Sequence, residues 1–152
     1  LVHTTVYLIQ PFTLMKRFFN ELTTRFSAKG GDVAEAYVVA HEVGHHVQNQ
    51  LGVLGSDSSE TQQGAINVKL QADCFVGIWA NSIKNMGVLE INEIVEAVDA
   101  AASVGDDRIQ ERVRGSIDPE TWTHGSSAQR VAAFTKGFDT GDIQTCDLTS
   151  FD

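Results

Sequence analysis

Basic residues are scarce: 11 lysines and arginines stand against 20 aspartates and glutamates, for a formal net charge of −9. Such a surface repels a phosphate backbone and an anionic membrane. No local cluster reverses it, because Arg108, Arg112 and Arg114 share their stretch with Asp106, Asp107 and Glu111. Nucleic acid is therefore not an expected partner. Long apolar runs are also missing, and none approaches the roughly 18 residues of a membrane span. The opening stretch, LVHTTVYLIQPF, has no basic leader and does not read as a signal peptide. It starts without a methionine, inside what reads as a strand, so the chain is expected to be truncated at its front, with any targeting segment upstream. Cysteine is nearly absent. Cys74 and Cys146 suit one long-range disulfide or two buried thiols, and the sequence alone leaves both open.

What is present is ordinary globular material. A hydrophobic content of 42% and a charged content of 20% in 152 residues fit one domain with a real core, spanning residues 1–152. There is no internal repeat and no low-complexity segment. Residues 5–9, TVYLI, read as a short strand. Met15, Phe18, Phe19, Leu22 and Phe26 then fall at helical spacing. Asp32 with Glu35 has capping-box spacing and opens a helix expected to run to Gln50 and close at Gly52. Asp57 with Glu60 repeats the signal before a long helix expected to reach about Asn85 and end at Gly87. Leu89–Val104 and Asp107–Arg114 are further helical candidates. After Pro119, Ser126 or Ser127 caps a helix to about Phe138, and the tail carrying Gly137 and Gly141 reads as loop. The expected class is α+β, mainly α with a small β-sheet.

Within the second predicted helix lies VVAHEVGHHVQNQ, residues 38–50. Residues four apart on a helix sit one above the other, so His41 and His45 can aim two imidazoles at one metal ion. Glu42 is turned about 100° away, too far to be a ligand but within reach of a water that the ion activates. Zinc brings that water's pKa to about 7, and Glu42 suits the general base that passes its proton to a leaving amine. Two histidines and a glutamate can also meet by chance on a solvated face. Here Tyr37, Val38, Val39, Val43 and Val47 make the helix largely buried, where unpaired polar groups are costly. Gly44, inside the motif, lets another element come close. His46 points off the two-histidine face and reads as an ordinary histidine. Trp79 and Trp122 read as core.

Several stretches in order give the chain a more specific likeness: AYVVAHEVGHHVQNQLG (36–52), LQADCFVGIWA (70–80), VGDDRIQ (104–110), PETWTHGSSAQR (119–130) and CD at 146–147. Together they resemble the bacterial neutral zinc metallopeptidases, distant relatives of the CAAX prenyl proteases among the gluzincins. The resemblance implies a zincin-like metallopeptidase domain with an active-site helix, Zn²⁺ as cofactor, and a peptide or protein substrate. It makes His41 and His45 zinc ligands, Glu42 the general base, His124 the histidine that stabilises the oxyanion, and Arg130 an arginine supporting the site. It also implies a bacterial cell-envelope location, membrane-anchored or secreted, where a Cys74–Cys146 disulfide would persist. A substrate lying extended along the edge of the small sheet belongs to the same expectation. Without the resemblance, His124 reads as a loop residue before the Ser126 cap.

At one position the family pattern breaks. The third ligand of the family is a glutamate in the pattern ELQAD, and this chain reads KLQAD, with Lys69 in the glutamate's place. An ammonium repels Zn²⁺. Three outcomes follow. Asp73, one turn on, becomes the third ligand, although in the relatives this aspartate orients a ligand histidine. Otherwise two histidines and waters hold zinc weakly, or the chain is a peptidase-like scaffold without catalysis. Cys74 points about 100° from Asp73 and makes a poor ligand candidate.

Overall fold

The computed structural model describes residues 32–54, 60–87, 93, 96, 110–111, 113–118 and 122–152. Three helices organise them: α1 (Asp32–Gln50), α2 (Gln62–Ile83) and α3 (Ser127–Thr140), followed by two 3₁₀ turns, Ile143–Cys146 and Leu148–Phe151. Among the described residues there is no strand. The expected α+β arrangement with a small sheet is therefore corrected to a helical one, and the sheet edge offered to a substrate goes with it. The strand expected at residues 5–9 and the helix after it lie outside the described residues, as do most of Leu89–Val104 and parts of the 107–114 stretch; Glu93, Glu96 and residues 110, 111, 113 and 114 are helical. No described helix is long and apolar enough to cross a membrane.

Each helix is positioned by local chemistry that the sequence carries. On α1 the buried residues Ala36, Tyr37, Ala40, His41, Gly44 and Gln48 recur at the three-to-four-residue spacing of one face. Gly44 lies in that face because a Cβ there would meet the Ala72 backbone and side chain at 3.2 Å, so α1 presses closely onto α2. The N-cap of α2 is Thr61, whose hydroxyl accepts from the Gly64 amide at 2.9 Å, so the helix starts later than the Asp57 signal implied. Helix α3 opens on the expected Ser126 with a complete capping box: the Gln129 amide donates to Ser126 Oγ, and the Gln129 side chain accepts from the Ser126 amide.

The tail departs from the expected loop. Gly137 is inside α3, and the helix closes at Gly141, in the left-handed region at φ 61°. Gly137 and Gly77 are where α2 and α3 cross with their backbones in contact: a Cβ on Gly77 would lie 2.0 Å from the Phe134 carbonyl oxygen, and one on Gly137 would lie 2.0 Å from that of Cys74. Any side chain at either position forces the helices apart. Beside this crossing, Ile66, Leu70 and Ala133 form a buried cluster, against which Trp122 and Phe151 pack. Cys74 of α2 is disulfide-bonded to Cys146 of the first 3₁₀ turn, across a separation of 72 residues. Closing a loop of that length removes roughly 4 kcal/mol of chain entropy from the unfolded state, so the tail is fastened to α2.

Candidate metal centre

His41 and His45 share one face of α1, with ring centroids 4.7 Å apart and planes perpendicular. His41 is buried and His45 half-buried, while Glu42 is exposed. What fixes each imidazole is found on its Nδ1 side, and the two sides are built differently.

Behind His41 lies a charged cluster. Asp73 of α2, fully buried, places Oδ1 2.8 Å from His41 Nδ1. Arg130 of α3 donates to the same carboxylate twice, from Nε to Oδ2 at 2.8 Å and from Nη2 to Oδ1 at 2.9 Å. The Tyr37 hydroxyl, one turn before His41, also donates to Oδ1. Arg130 Nη2 comes within 3.3 Å of His41 Nδ1 as well. A carboxylate only accepts, so the shorter Asp73 contact makes Nδ1 the protonated nitrogen, and that approach is no hydrogen bond. Burial alone would raise the Asp73 pKa, but the contact with His41 and the Arg130 guanidinium outweigh it and hold the carboxyl below its ordinary value. Burial lowers the Arg130 pKa, and Asp73 more than restores it, for a net rise. Tyr37 is pushed well up, by burial first and then by the neighbouring Asp73 charge, and so stays a neutral donor.

Behind His45 lies a chain of amides. His45 Nδ1 is 2.6 Å from Gln48 Oε1. Gln48, also fully buried, donates through Nε2 to the Val68 carbonyl at 2.7 Å and to Gln71 Oε1 at 2.8 Å. Gln71 donates to the Cys146 carbonyl at 2.8 Å. Both carbonyls are acceptors only, so every amide orientation is fixed, and Gln48 must turn its oxygen toward His45. His45 is therefore protonated at Nδ1 and carries its lone pair on Nε2. Burial lowers its pKa and favours this neutral form.

Two imidazoles on one helix face, each anchored on its Nδ1 side, are the donor set zinc takes from histidine. The third position differs. Lys69, one turn before Asp73 on α2, places Nζ 3.1 Å from His45 Nε2. Asp73 stands on the far side of His41 from Nε2, with both oxygens engaged. Among the described residues, no three His, Cys, Asp or Glu side chains form a group able to hold a metal ion. His41 and His45 therefore fit zinc, and nothing described completes the set.

Of the other expected site residues, Arg130 is brought to His41 through Asp73. His124 sits in the turn before the Ser126 cap, with Thr123 Oγ1 2.9 Å from its Nδ1, and Gln62 holds that turn by donating to the Trp122 carbonyl at 3.0 Å. Tyr37, Gln48 and Gln71 belong to the site; they lie in the stretches that carry the family likeness, but the zinc-motif spacing gives them no role. For Tyr37 the clue was a phenol on the buried face one turn from a ligand histidine, since a buried hydroxyl needs an acceptor.

Comparison with known proteins supplies the context. The chain is 50% identical over 146 residues to an uncharacterized protein of Mycobacterium tuberculosis, an alignment covering 88% of this chain and 50% of that protein. It is 41% identical over 137 residues to the uncharacterized protein YpfJ of Escherichia coli, covering 85% of this chain and 47% of that one. The chain thus spans about half the length of these curated relatives. No solved structure gives a significant match. A family model described as "Putative neutral zinc metallopeptidase" matches residues 6–149. The chain belongs to that family.

Proposed function

We propose that this chain is the peptidase domain of a zinc-dependent hydrolase of the cell envelope, acting on peptide bonds of a peptide or protein substrate. The observation that carries this reading is the pair of anchored imidazoles on α1, with the exposed Glu42 between them in sequence. His41 and His45 would hold the zinc through Nε2. Zinc supplies Lewis acidity, polarising a scissile carbonyl and making water nucleophilic near neutral pH. Glu42, accessible and unencumbered by the buried networks, takes the proton from the attacking water and delivers it to the leaving amine. Asp73 acts as the orienting residue of His41, with Arg130 and Tyr37 holding it, and not as a ligand. His124 donates to the developing oxyanion, as the family resemblance implies. Membership of the gluzincins and kinship with the CAAX prenyl proteases belong to the same reading. The Cys74–Cys146 disulfide supports an oxidising compartment.

The test is cleavage of an unfolded protein by zinc-supplemented enzyme, beside Glu42→Gln. The proposal expects cleavage that falls by roughly 10²–10⁴-fold in the variant. Equal cleavage by both removes Glu42 from the reaction. Silence of the native chain leaves the alternative, a peptidase-like scaffold without catalysis.

A further inference from the structure

We propose that Lys69 is an internal competitor for the metal, its ammonium occupying the His45 lone pair that zinc would need. This rests on the reading of His41 and His45 as metal ligands and concerns what an incoming ion must displace.

The directions of the hydrogen bonds carry the inference. The carbonyl of Cys146 fixes Gln71, and Gln71 with the carbonyl of Val68 fixes Gln48. Gln48 in turn fixes the proton of His45 on Nδ1. Nε2 is then an acceptor, and Lys69 Nζ at 3.1 Å donates to it. The result is a single-direction chain from a lysine on α2, through a histidine on α1, to the carbonyl of a disulfide-bonded cysteine in the tail. An imidazole nitrogen has one lone pair in the ring plane, so it binds the ammonium or a metal ion and not both. The positive charge adds repulsion toward a divalent cation in the same place. Lys69 is only partly buried, so its flexible stem can swing the ammonium into solvent once an ion displaces it.

Competition differs in a measurable way from the simple lack of a third ligand. If the lysine merely fails to ligate, removing it changes nothing until a carboxylate takes its place. If it competes, removing it strengthens binding even when the replacement ligates nothing.

The test is the zinc affinity of the metal-free chain, read by competition with a chromogenic chelator, for the native protein and for Lys69→Ala, Lys69→Met and Lys69→Glu. Two neutral variants of different bulk guard against one failing to fold, which circular dichroism reports. Freeing a nitrogen from a charged hydrogen bond raises affinity by roughly tenfold to a hundredfold in the folded neutral variants, and Lys69→Glu gains further by adding a ligand. Native affinity equal to that of Lys69→Ala and Lys69→Met, with a gain in Lys69→Glu alone, overturns the competition and leaves the metal-site reading standing. Absence of zinc binding in every variant, Lys69→Glu included, overturns both.

Discussion

The two histidines of α1 are one turn apart and chemically alike, yet the protein holds them by opposite means. His41 is backed by ions: a fully buried carboxylate, a guanidinium and a phenol. His45 is backed by neutral amides that end on a backbone carbonyl. The ionic side draws its members from all three helices, so it is also the joint at which α1, α2 and α3 are locked. Each of its charges depends on the others, because a carboxylate buried without partners is far costlier than an amide in the same place. The amide side is cheaper to disturb, and it is the ring it holds, His45, whose Nε2 Lys69 reaches. Fixing an imidazole thus needs only an acceptor at Nδ1. The choice of acceptor decides how much of the fold depends on it.

This contrast sets the order of expected effects. Asp73→Ala strands Arg130 in the interior and should cost about 3–5 kcal/mol in denaturant unfolding, the largest loss of any single substitution at the site; a loss under about 1 kcal/mol would mean the ionic side is not the joint. The same group gives a pH signature. Because the folded pKa of Asp73 lies below its ordinary value of 3.8, its stabilising contribution is full above that value. It declines as pH falls below it and is gone once the folded pKa is passed. Stability curves of native protein and Asp73→Asn should therefore converge in acid, and parallel curves would argue against the pairing.

Reduction of Cys74–Cys146 comes next, with a loss of about 2–5 kcal/mol expected by thermal denaturation with and without reductant. It should also loosen the amide side first, since the acceptor that terminates that chain is the Cys146 carbonyl. Gln48→Ala takes the acceptor from His45 Nδ1 and the donor from Gln71 Oε1 and should cost about 1–3 kcal/mol. Zinc affinity should fall with it, whereas a purely structural glutamine would leave affinity unchanged. The smallest effect belongs to Tyr37→Phe, about 1 kcal/mol, because Asp73 keeps its Arg130 and His41 contacts.

The difference between the sides also explains what could be read in the sequence. Helix α1 and its two histidines are legible because a periodicity and a four-residue spacing impose the same geometry in any helix. The Ser126 box is legible because its chemistry is contained within four residues. Thr61 was not, since Asp57 with Glu60 offered the same spacing a few residues earlier and only the folded chain decides where a helix begins. Gln48 and Gln71 were not, because a glutamine in a helix reads as solvated surface until a neighbouring helix buries it. Asp73 was singled out by position, but its partners come from two other helices, and no local pattern states which oxygen faces which donor. The small sheet was inferred from residues 5–9 and a resemblance, and the described residues are helical throughout their regular elements.

The most direct test of the two anchored imidazoles is a long-range ¹H–¹⁵N spectrum of the histidine rings in metal-free protein near neutral pH. A proton on Nδ1 is predicted for both His41 and His45, with Nε2 of His45 unprotonated. A bare Nδ1 on either ring, or an Nε2–H signal from His45, would contradict the hydrogen-bond directions on which the metal centre rests.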